Sequence, residues 1–100
     1  MEEITEKIRC WAKKHGLNNA DAGKQMLKLM EEIGELAEGL AKSNSDEIKD
    51  AIGDSFVVLT ILAMQLGLSI EDCVSYAYDQ IKNRTGKTVN GVFIKSEDLK

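Results

Sequence analysis

Residues 22–66 read AGKQMLKLMEEIGELAEGLAKSNSDEIKDAIGDSFVVLTILAMQL, two long stretches of helical period on either side of Ser43-Asn44-Ser45. In the first, Met26, Leu29, Met30, Ile33, Leu36, Ala37 and Leu40 recur at helical spacing. They predict a helix over 22–42 whose core-facing stripe centres on Ile33 and Leu40. The second predicts a helix over about 46–66. From Phe56 to Leu66 it is apolar nearly all round, the mark of a helix buried on every side. Asn44 or Ser45 suits an N-cap, and Glu47 sits in the first turn where the helix dipole favours acid. So short a connection predicts antiparallel packing of the two helices.

Working outward, Ile4, Ile8, Trp11 and Ala12 predict a first helix over about 3–15, stopped by Gly16, with Asn19 or Asp21 capping the next. Gly67 ends the third helix and Ser69 opens a fourth over about 70–84. Val89-Asn90-Gly91-Val92 places an Asn-Gly pair between β-branched residues, a signal for a tight hairpin. The expectation is one all-α domain over 1–100, a small antiparallel bundle of about four helices with a short C-terminal hairpin or irregular tail. A helix apolar all round in so short a chain also predicts a second subunit, as a homodimer or homotetramer. On this reading Trp11 belongs to a core or an interface rather than to a ligand, and His15, Cys10 and Cys73 are structural.

The absence of Pro and the 43% hydrophobic content agree with long helices in a globular chain. Cys10 and Cys73 form no CxxC or Cys/His pattern, so reduced thiols are expected. The N-terminus lacks the order of a signal peptide, and no apolar run reaches the ~20 residues of a membrane span. A cytoplasmic location is expected. The net charge of −4 disfavours a nucleic acid polymer or an anionic membrane as partner. Charge is segregated, however. Between Glu31 and Asp54 eight acids stand against two lysines, whereas the stretch from Lys82 to Lys95 holds Lys82, Arg84, Lys87 and Lys95 and no acid.

At about 100° per residue, Glu31 and Glu38 fall opposite the apolar stripe of the second helix. Glu32 and Glu35 fall on its flank with Gln25 and Lys28. On the third helix Glu47, Asp50 and Asp54 share a stripe that continues through Val58, Ile61 and Gln65. Antiparallel packing brings Glu32, Glu35, Asp50 and Asp54 together. Two such acids repel unless a cation lies between them, and all-oxygen ligands favour Mg²⁺ or Mn²⁺. A di-iron bundle needs Glu-x-x-His pairs, and the single histidine is remote. Spacing alone leaves a solvated acidic face, balanced by Lys28, Lys42 and Lys49, equally open.

Lys28-Leu-Met-Glu31-Glu32-Ile-Gly34-Glu35-Leu-Ala-Glu38 resembles the EExGE segment of the MazG-like nucleotide pyrophosphohydrolases, and Ile48-Lys-Asp50-Ala51-Ile-Gly-Asp54 resembles their second acidic motif. The resemblance runs from about residue 8 to residue 95. It implies a helical oligomer that hydrolyses nucleoside triphosphates to monophosphate and pyrophosphate with Mg²⁺. By that resemblance Glu32, Glu35 and Asp54 are metal ligands. The glutamate expected three residues before Asp54 is Ala51 here, and Asp50 is the acid placed to substitute for it. Glu31 or Glu35 would take the proton of the attacking water. Lys82, Asn83, Arg84 and Lys87 resemble the phosphate-meeting end of the last helix, and Gln25 and Lys28 share the acidic flank as further substrate contacts. The alternative is a relative that binds nucleotide or metal without catalysis, with Ala51 marking the loss.

Overall fold

In the computed structural model, which describes residues 2–99, the two central stretches form α2 (Ala22–Lys42) and α3 (Ser45–Gln65). Of the candidate caps, Asp21 and Asn44 do the work. Their side chains accept the N–H groups of Lys24 (3.3 Å) and Glu47 (3.1 Å), satisfying donors the helices cannot use themselves. Ser43 takes a left-handed conformation (φ 53°) that reverses the chain between them. The helices then run antiparallel, with Gly39 beside Ile48 and the Gln25 side chain reaching the Val58 carbonyl (3.3 Å). A Cβ on Gly39 would meet Ile48 and its backbone N at 3.2 Å, so glycine sets how closely the helices approach.

Around this pair lie α1 (Glu2–Lys14), α4 (Ile70–Ile81) and an antiparallel hairpin of β1 (Gly86–Val89) and β2 (Val92–Lys95). A short 3-10 turn, Leu17–Asn19, joins α1 to α2. The most buried helix is α3, which contributes Ala51, Val58, Ile61 and Ala63 to the core and touches α1, α2, α4 and the 3-10 turn. The chain bends by 104° between α3 and α4. Arg9 of α1 and Glu71 of α4 hold that corner, with Nη1 2.9 Å and 3.1 Å from the two carboxylate oxygens. Asn90 (φ 52°) and Gly91 (φ 81°) form the left-handed pair that a two-residue hairpin requires. Among the described residues no single helix is long and apolar enough to cross a membrane.

The all-α reading and the hairpin hold; three details differ. Helix α4 ends at Ile81, so Lys82 caps it and Asn83 and Arg84 lie beyond its end. Helix α3 is not covered all round, because Leu59 is exposed, and Leu66 just beyond its end is exposed too. The largest difference is the rotation of α2. Close approach at Gly39 turns the line Leu29–Glu32–Leu36–Gly39 towards α3, with Glu32 and Gly39 fully buried. Met26, Met30, Ile33 and Leu40, expected in the core, face solvent at 45–61% exposure. The radius of gyration is 16.3 Å, against about 13 Å for a compact chain of this length.

Candidate metal and nucleotide site

Because of that rotation, Glu32 lies in the α2–α3 seam, only 4% exposed, rather than at its edge. Its Oε1 is 3.5 Å from Lys28 Nζ, one turn earlier on α2, while its Oε2 is buried with no hydrogen-bond partner among the described residues. Burial raises its carboxyl above the ordinary carboxylate range, and Glu35 one turn on pushes it further. Lys28 offsets part of this. Across the seam, half-buried Asp54 is also raised, by burial first, then by the charges of Asp50 and Glu32, again against Lys28. The four acids are therefore electrostatic neighbours, drawn two from each helix.

Glu32 and Asp54 line one recess of about 560 Å³, within the range of small-molecule sites. On α2 it runs from Asp21 through Lys24, Gln25 and Lys28 to Glu32; on α3 it runs from Asp54 through Val57 and Val58 to Ile61. Since the helices are antiparallel, Glu32 and Asp54 mark one end and Asp21 and Ile61 the other. Leu17 and Ala20 wall the second end, together with Trp11 from α1. A second hollow, lined by Ile4, Asp46, Lys49, Asp50, Gly53, Asp54 and Val57, meets the first at Asp54. Glu31 and Glu35 are exposed and line neither hollow; Glu31 lies 4.0 Å from Lys28 Nζ.

Hard oxygen donors, a buried carboxylate oxygen without a partner, and neighbouring acids that raise one another fit a hard divalent cation. Such an ion would complete Glu32 and reverse the repulsion. Among the described residues no three carboxylate, His or Cys side chains converge on one point as they stand. The acids form a neighbourhood rather than a closed cage.

A family model for the MazG nucleotide pyrophosphohydrolase domain matches residues 22–89, from the start of α2 to the end of β1. The chain belongs to that family. It is 47% identical over 66 residues to an uncharacterized 18.2 kDa protein in the rep-hol intergenic region of Haemophilus phage HP1. That match covers 65% of this chain and 40% of the phage protein, so the MazG chain spans well under two thirds of its relative's length. No solved structure matches it at a significant level.

Ala51 stands where the sequence resemblance implies a glutamate. The alanine is 2% exposed and its carbonyl accepts the Ser55 hydroxyl at 2.7 Å. Asp50 beside it is exposed and lines the second hollow with Asp54. The basic end is not brought to the carboxylates within one chain. Lys82 pairs with Asp79 at 3.0 Å, Arg84 and Lys95 line a separate polar hollow by the hairpin, and Lys87 is exposed on β1. None of Lys82, Asn83, Arg84 and Lys87 lines the recess of Glu32 and Asp54. Trp11, expected in a core or an interface, is 51% exposed and walls the recess, its ring 4.5 Å from that of His15. Lys24 and Leu17 also line it and carried no sequence signal. Val58 and Ile61 did, as the continuation of the Asp50–Asp54 stripe.

Proposed function

We propose that the chain hydrolyses a nucleoside triphosphate, ribo- or deoxyribo-, at the α–β phosphoanhydride, giving a nucleoside monophosphate and pyrophosphate. One observation carries the reading: Glu32 is a buried carboxylate with an orphaned oxygen, sharing a ligand-sized recess with Asp54. An uncompensated buried acid is destabilising, and a cation offsets it. Glu32, Glu35, Asp54 and Asp50 would hold Mg²⁺, or Mn²⁺ in its place. When bound, the ion neutralises phosphate charge and acidifies water.

The chain's own groups do the rest. Glu35 or Glu31, both exposed, accepts the proton of the attacking water. Lys28, already between Glu31 and Glu32, gives a phosphate oxygen a charge-assisted contact, and Gln25 lies further along the same wall. Lys82, Asn83, Arg84 and Lys87 suit the leaving pyrophosphate. They lie away from the recess, so a second subunit or a movement of the hairpin must deliver them. The exposed stripe of Met26, Met30, Ile33 and Leu40 supports a homodimer or homotetramer. Ile33→Glu should then shift the mass in solution, measured by light scattering, towards monomer; an unchanged mass counts against assembly through this face. A free nucleotide substrate is consistent with a cytoplasmic enzyme.

The test is product analysis with Mg²⁺ across the eight standard nucleotides. Equal amounts of monophosphate and pyrophosphate are expected. A second reading, binding without catalysis, draws on the buried Ala51 and on the failure of three acids to converge. It predicts nucleotide-dependent stabilisation by Mg²⁺ with no product.

A further inference from the structure

The recess is two-sided. Glu32 and Asp54 stand at one end, Val57 and Val58 follow along α3, and the other end is walled by Trp11, Leu17, Ala20 and Ile61. Gln25 lies between, seven residues and so about 10 Å along α2 from Glu32. That span matches a nucleoside from its phosphate to the far edge of its base.

The Gln25 amide cannot be turned over. Its Nε2 donates to the Val58 carbonyl at 3.3 Å, and a carbonyl offers an amide oxygen nothing to accept. The Oε1 is thereby fixed as an acceptor, and it takes no hydrogen bond from any described residue. Trp11 presents a half-exposed aromatic surface to the same space. An aromatic face beside an oriented acceptor is what a planar heterocycle with an N–H donor would use.

Resting on the reading of the carboxylate end as a triphosphate site, the geometry points to Trp11 and Gln25 as the base-contacting residues: Trp11 stacks on the nucleobase and Gln25 Oε1 accepts an N–H from its edge. These contacts exist in ground and transition states alike, so they set KM and base preference more than kcat.

Trp11 is the sole tryptophan, so its fluorescence reports on this end of the recess alone. The full chain is titrated with each standard nucleoside triphosphate and with inorganic tripolyphosphate, using Ca²⁺ to slow turnover and calorimetry to measure Kd. Nucleotides are expected to quench Trp11, and tripolyphosphate to bind without quenching. Gln25→Met should weaken the preferred nucleotide by about tenfold, the scale of one lost hydrogen bond. Tripolyphosphate affinity should stay within about twofold. Trp11→Phe should keep most nucleotide affinity and Trp11→Ala lose it.

The inference is overturned if nucleotides bind without quenching, or if tripolyphosphate binds as tightly as the best nucleotide. It is also overturned if Gln25→Met weakens both ligands equally, which would make Gln25 a brace between α2 and α3. Binding and quenching without hydrolysis would instead sink the catalytic reading and leave the base contacts standing.

Discussion

Replacing Glu32 by Gln should stabilise the metal-free protein while removing its response to Mg²⁺. Glu32 is 4% exposed, its Oε2 has no partner, and its Oε1 has only the half-exposed Lys28 at 3.5 Å. An unsatisfied buried polar group costs about 1–3 kcal/mol, more when charged. Lys28 offsets part of that, which places the gain from neutralisation near the lower figure. For a domain of this size each kcal/mol moves Tm by roughly 4–8 °C, so a rise of about 4–8 °C is expected. The pH dependence has a definite sign. The folded carboxyl sits above its ordinary value of 4.5, so the fold binds the proton more tightly than the unfolded chain does. The stability this group contributes is full below about pH 4.5 and is lost as pH rises through the folded value. Glu32→Gln escapes that loss. Its advantage should be widest at neutral pH and vanish towards pH 4.5. Thermal unfolding followed by circular dichroism in EDTA, then in Mg²⁺, measures both effects. Wild type should gain stability with Mg²⁺ and the variant should not. A variant less stable than wild type in EDTA at neutral pH would refute the reasoning. The Lys28 contact would then outweigh burial, and Glu32 would be a structural member of the seam.

Glu71 should behave in the opposite sense. Hydrogen bonds from Thr5, Arg9 and Ser69 hold its carboxyl down to about 2, so its contribution is present above pH 4.5 and fades as pH falls towards 2. Glu71→Gln should lower Tm at neutral pH and converge on wild type in acid; a constant gap across pH would show that shape, not charge, ties α1 to α4. Gly34→Ala adds a Cβ that meets nothing within 4 Å in one chain, so helix propensity alone should raise stability by about 0.5–1 kcal/mol in dilute solution. A fall in Tm would mean that another subunit presses on that surface. Ala51→Glu forces a long acid into a seam position that is 2% exposed and should destabilise by about 1–3 kcal/mol. It should bring no gain in turnover if Asp50 already serves; a large gain would mark the natural site as decayed.

The helices were legible because their caps and breaks are local chemistry. Asp21, Asn44 and Ser69 each accept an N–H three residues on, which the sequence announces. The approach of Glu32 to Asp54 across the seam was legible too, since it follows from helical period and a two-residue reversal. The rotation of α2 was not. Hydrophobicity favoured Ile33 and Leu40 as the inward line, but a single chain packs by contact distance, and Gly39 allows the closest approach. The apolar stripe was thus read as this chain's core line, whereas Met26, Met30, Ile33 and Leu40 are exposed. The core placement of Trp11 failed for a related reason. The stripe of Ile4, Ile8 and Trp11 gave its direction, but only the packing of α1 against α3 and the 3-10 turn placed it on the recess wall. The position of Lys82 to Lys87 was not legible either, because α4 ends at Ile81 and none of them lines the recess of the carboxylates.

The most direct test of the central claim is product analysis from a nucleoside triphosphate with Mg²⁺, comparing wild type with Asp54→Asn and Glu35→Gln. The account predicts monophosphate and pyrophosphate in equal amounts from wild type and neither from the two variants. Diphosphate and orthophosphate as products, or turnover that survives both substitutions, would contradict it.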